Sequence, residues 1–146
     1  MEHSRKQLKN FSILVIILAG LTILNLAFEL LFGELNNAEI SAGLPENTLL
    51  ITKIFAAVIS FIMILPQIYI GFKGLKMAKN PDSSKAHIVW GVILFVFTVI
   101  SLFSYVVDIF KLKDVFANVA TIMSVAVDAT ILFNYVKYAR RVSKGI

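Results

Sequence analysis

The residues able to do chemistry in this chain are polar side chains set inside long apolar runs, and Asp128 is the foremost of them. It stands about thirteen residues from one end and eight from the other of the run Val115–Val136. That is near the middle of a segment long enough to cross ~30 Å of hydrocarbon. An ionised aspartate costs ~2.5–3.5 kcal/mol at that depth on insertion scales. No Lys or Arg lies at the same depth on another run to offset it. Three placements meet the cost. Asp128 is protonated and hydrogen-bonded to neighbours such as Thr98, Thr22 or Asn25; or it lines a wet cavity and there binds a cation or relays a proton; or it contacts another subunit.

Other polar residues follow helical spacing. Thr22, Asn25 and Glu29 fall on one helix face, as do Lys53, Ala57, Ser60 and Gln67. Thr98, Ser101, Tyr105 and Asp108 repeat the pattern, and so do Asn118, Thr121, Ser124 or Val125, Asp128 and Tyr135. With all four stripes turned inward, the runs form a bundle with a partly polar interior. Glu29 and Lys53 lie roughly 5 and 7 Å below one surface at ~1.5 Å per residue, which suits an interhelical ion pair. Pro66 removes one helix hydrogen bond and frees the carbonyl of Ile62, so a kink is expected there, with Gln67 or a protonated Asp128 as the replacement donor.

The elements that must carry these residues are four apolar runs, at about 11–32, 48–72, 88–110 and 115–136. Each reaches the roughly 20 residues a transmembrane helix needs. Hydrophobic residues make up 58% of the 146-residue chain and charged residues 16%, against roughly 25% charged in soluble domains. Four helices apolar all round cannot be covered by so little remaining chain, which excludes a soluble fold. The expected fold is all-α: a single transmembrane domain over 1–146, built as an antiparallel four-helix bundle. The absence of cysteine excludes disulfides and thiol redox chemistry.

Charge placement orients the bundle. Arg5, Lys6 and Lys9 precede the first run; Lys73, Lys76, Lys79 and Lys85 separate the second from the third; Lys137, Arg140, Arg141 and Lys144 follow the fourth. The segment Gly33–Asn47 has no Lys or Arg and carries Glu34, Glu39 and Glu46, while the link after the third run holds only Lys111 and Lys113. The positive-inside rule then sets both termini in the cytoplasm of a cell (plasma) membrane. The first run is too long for the apolar core of a cleaved signal peptide and reads as a retained anchor.

Gly33, Asn36, Asn37, Gly43 and Pro45 make the first external loop irregular, with Asn47 or Thr48 as the cap of the second helix. That helix is expected to run past the bilayer with its lysines three apart. Asn80-Pro81-Asp82 ends it, and Ser83 or Ser84 caps the third. Trp90, Tyr69, Tyr135 and Tyr138 read as an interfacial aromatic belt. His3, in a mobile tail, and His87, at the edge of the third run, lack partners at metal-ligand spacing, so no metal, cofactor or catalytic set is expected. Nor is nucleic acid, because topology accounts for the net charge of +5.

The segment GFKGLKMAKNPDSSKAH, residues 71–87, resembles uncharacterised small four-span integral membrane proteins of low-GC bacteria; the resemblance implies no activity and assigns no functional residue. Two functional classes fit the residues. One is a non-enzymatic accessory or interaction protein that modulates or protects a membrane assembly. The other is a small oligomeric transporter or channel with Asp128, Thr98, Asn25, Thr22 and Gln67 as a cation or proton site. The partners expected are the lipid bilayer and another membrane protein or a further copy of the chain.

Overall fold

The computed structural model describes residues 1–32, 45–110 and 115–146. They form four α-helices: α1 (Glu2–Phe32), α2 (Glu46–Lys79), α3 (Ala86–Ile109) and α4 (Val115–Ser143). No strand occurs among the described residues, and all four helices are long and apolar enough to cross a membrane. At ~1.5 Å per residue each exceeds the hydrocarbon thickness.

The first two helices extend beyond their apolar runs. α1 starts at Glu2 rather than near Phe11, so His3 lies in helix and not in a mobile tail. Its ring meets Tyr138 edge-on at 6.4 Å. The reason is local: Arg, Lys, Gln and Leu are strong helix formers, and Ser4, Leu8 and Ser12 continue the buried stripe of Val15 and Ala19. α2 runs on to Lys79 through Pro66. Its first turn differs from expectation, because Pro45 occupies the N-cap position and no side chain caps the helix. Thr48 N–H donates to the Pro45 carbonyl at 2.9 Å, and Thr48 itself lies within the helix. Proline suits a helix start, where the missing N–H costs nothing. The α2–α3 junction follows the sequence: Asn80 ends α2, its Oδ1 accepts from the Asp82 N–H, and Ser84 Oγ accepts from Ala86 N–H at 3.4 Å.

The helices form a ring. α1 packs on α2 and α4, α3 packs on α4 and α2, and α2 also touches α4 across the middle. The buried core gathers at one end. It joins Leu8 and Val15 of α1, Ile70 and Met77 of α2, Ile88 of α3, and Leu132, Tyr135 and Val142 of α4. Toward the other end the apolar side chains point outward, with Leu24 and Phe103 each 67% exposed. Apolar atoms on the outside are what hydrocarbon surroundings call for.

Candidate functional site

The packed end is built around Tyr135. This tyrosine is fully buried, and its hydroxyl donates to the Ile70 carbonyl at 2.7 Å. It is therefore a core residue joining α4 to α2, which corrects its assignment to the aromatic belt. Glycines make the insertion possible. A Cβ on Gly74 would stand 2.6 Å from Tyr135 Cε2 and against Ser12 Oγ, and one on Gly91 would stand 3.2 Å from Tyr135 Cε1. Small residues that let helices approach, with a hydrogen bond across them, are how helices associate where lipid supplies no hydrophobic drive.

Two further polar side chains lie buried beside it. The His87 ring meets Tyr135 edge-on at 6.2 Å, and His87 Nδ1 donates to the Ser84 carbonyl at 2.8 Å. A carbonyl can only accept, so Nδ1 carries a proton, and in the neutral ring Nε2 is then an acceptor. Neither Nε2 nor Ser12 Oγ finds a partner among the described residues. About one turn further along α4, Tyr138 stacks on Phe11 at 5.7 Å, with Lys137 and Arg141 over its ring.

Arg5 ties the start of α1 to the end of α2. Its Nε donates to the Ala78 carbonyl at 2.8 Å and its Nη2 to that of Lys79 at 2.7 Å. These carbonyls lack helical donors, and a guanidinium satisfies them while opposing the negative end of the helix dipole. Beside this contact lies a cleft of about 900 Å³, lined by Glu2, Arg5, Lys6, Lys9, Ile13, Leu75 and Lys79 among others.

No family model, curated protein or solved structure matches this chain. The reading of its site therefore rests on its own residues. Among the described residues, no group of three His, Cys, Asp or Glu stands ready to hold a metal ion.

The mid-membrane polar residues are placed as follows. Asp128, Thr98 and Gln67 are half-buried, whereas Thr22 and Asn25 are exposed. Among the described residues no hydrogen bond joins Asp128 to Thr98, Thr22 or Gln67, and neither Gln67 nor Asp128 bonds the Ile62 carbonyl below Pro66. The hydroxyls bond within their own helix instead: Thr22 to the Leu18 carbonyl, Thr98 to Leu94 and Ser101 to Phe97, each four residues back. The expectation that every polar stripe turns inward is thereby corrected, since Thr22, Asn25, Ser60 and Ser101 lie on the exposed surface. A serine or threonine that bonds the preceding turn needs no partner on another helix. For the Glu29–Lys53 pair, the Glu29 side chain lies outside the described residues, as do those of Asp108 and Asn118; Lys53 is half-buried.

Sequence reasoning missed Tyr135, Ser12, His87 and Arg5 as structural partners. The signal present was the pair of small residues Gly71 and Gly74 at the start of the lysine cluster, matched by Ser4, Ser12 and Ala19 along one face of the first helix.

Proposed function

We propose that this chain is a small polytopic membrane protein of accessory type, one that modulates or protects a membrane assembly without catalysing a reaction. Its helices alternate in direction across the cell membrane, and both termini are cytoplasmic. The tightly packed end around Tyr135 is the observation that supports this reading most. There Tyr135 is buried, bonded to Ile70 and seated against Gly74 and Gly91, a packing that argues against a solute path between the helices of a single copy. The outward apolar side chains of the opposite end offer instead a surface for lipid or for a partner's helices. The charge asymmetry of the connections supports the orientation.

The test compares flux and association. The protein is extracted in detergent, its stoichiometric companions are identified, and it is reconstituted in liposomes beside Asp128→Asn. Co-purification of a fixed partner, with equal and unspecific leakage in both samples, is expected. A proton or cation flux that Asp128→Asn abolishes would overturn the accessory reading in favour of a transporter.

A further inference from the structure

We propose that the cleft between the start of α1 and the end of α2 binds the phosphate headgroup of an anionic phospholipid. The proposal stands apart from the accessory reading and needs only that the helices span a bilayer. Four cationic side chains from two helices line the cleft, Arg5, Lys6, Lys9 and Lys79, against the single carboxylate of Glu2. Arg5 is fixed in place by its two bonds to the last carbonyls of α2. Three other cations at this end are engaged by rings: Lys73 lies over Tyr69, and Lys137 and Arg141 over Tyr138. Among the described residues, no ring or carboxylate engages Lys6, Lys9 or Lys79 in this way. Their charges converge on one concavity whose lining includes a single acidic residue, Glu2.

The shape also points to a lipid rather than to a free anion. Ile13 and Leu75 line the same cleft one helical turn deeper than Lys9 and Lys79, about 6 Å along each axis. The walls thus change from cationic to apolar in the direction of the bilayer. A glycerophospholipid has that sequence of chemistry, phosphate at the surface and acyl chain beneath. The volume, about 900 Å³, is ample for a headgroup with its glycerol. Basic pockets between membrane helices are known to hold lipids of this class, each Lys or Arg near the surface adding appreciably to the attraction. Four cations suit a headgroup bearing two phosphates better than one bearing a single phosphate.

The test uses the full chain in detergent micelles, with lipid binding read by native mass spectrometry. The lipids are cardiolipin, phosphatidylglycerol and phosphatidylcholine, and inorganic pyrophosphate is the soluble competitor. Cardiolipin is expected to be retained in preference to phosphatidylcholine. The triple substitution Lys6→Gln, Lys9→Gln, Lys79→Gln lowers that preference about tenfold or more. Removing the same charge at Lys85→Gln, Arg140→Gln and Lys144→Gln, outside the cleft, changes it less than about twofold. Equal loss in both triples would reduce the effect to general surface charge and overturn the site. Pyrophosphate binding as tight as the lipid would overturn the lipid as occupant. Photoreactive anionic lipid on the unaltered protein gives a second reading that needs no variant to fold. Crosslinks are expected on the peptides bearing Ile13 and Leu75, and labelling confined to other helices would overturn the proposal.

Discussion

Replacing Gly74 by alanine drives a methyl group into a tightly packed contact between α1, α2 and α4. The new Cβ would lie 2.6 Å from Tyr135 Cε2 and 2.9 Å from the Tyr135 hydroxyl, and it would press on Ser12 Oγ. Carbon contacts are favourable only near ~3.5–4.0 Å, so the ring must move. Overpacking of this kind costs ~1–3 kcal/mol. If Tyr135 withdraws, its bond to the Ile70 carbonyl is lost as well, at ~1 kcal/mol. Alanine returns up to ~1 kcal/mol through its higher helix propensity. The balance is a loss of about 2 kcal/mol, or roughly 4–8 °C in thermal midpoint for a chain of this size. Gly20 supplies the control, because a Cβ there meets nothing within 4 Å. Gly20→Ala is expected to hold or raise the midpoint. Both are measured in the same detergent by loss of tertiary signal on heating. If Gly74→Ala proves as stable as Gly20→Ala, Tyr135 is not seated against Gly74 and the account of the inner core fails.

Tyr135→Phe keeps the ring and deletes the bond to Ile70, costing ~1 kcal/mol; Tyr135→Ala empties the site and costs ~3–5 kcal/mol. Equal effects of the two, in thermal unfolding, would mean that the ring itself contributes nothing. Ser12→Ala removes a buried hydroxyl that has no partner among the described residues and is expected to raise stability by ~1 kcal/mol. A lower midpoint would show that the hydroxyl is satisfied. Arg5→Lys cannot reproduce a two-pronged contact with the Ala78 and Lys79 carbonyls. Amide exchange in the last turn of α2 should quicken about fivefold, and unchanged exchange would dismiss Arg5 as a clamp. Reporter fusions at both ends are expected on the cytoplasmic side; finding the two ends on opposite sides would refute the orientation drawn from the charges.

The four helices were legible because each apolar run is far longer than any soluble strand or helix needs. Their ends were less so. Arg5, Lys6 and Lys9 look like a solvated tail when scored by charge, although Leu8 and Ser12 among them carry the face that packs. The role of Tyr135 could not be read from its surroundings in sequence, where a tyrosine two residues before Lys137 and near an arginine pair looks like an interfacial anchor. Its burial depends on Gly74 and Gly91, which lie more than forty residues away in sequence and on two other helices. Thr22 and Ser101 misled for the opposite reason. Their spacing implied a shared interior, yet each meets its need four residues back on its own helix, a contact that any helix offers at any rotation. Asp128 has no such contact on its own helix among the described residues, so its place turns on what lies outside that helix.

The two ends of the bundle therefore respond to substitution in different ways. Within lipid, apolar side chains gain little by meeting one another, because hydrocarbon solvates them equally well. Close packing with a cross-helix hydrogen bond is what remains to hold helices together, and Gly74, Gly91 and the Tyr135–Ile70 contact concentrate it at one end. Changes there act on the stability of the single chain. At the other end Leu24, Phe55 and Phe103 face outward, and shortening them removes little that the chain's own fold depends on. If that surface receives a partner, Leu24→Ala with Phe103→Ala should weaken association while leaving the thermal midpoint of the isolated protein nearly unchanged. A fall in midpoint matching that of Tyr135→Ala would place the folding core at the wrong end, and the division of labour along the bundle axis would have to be abandoned.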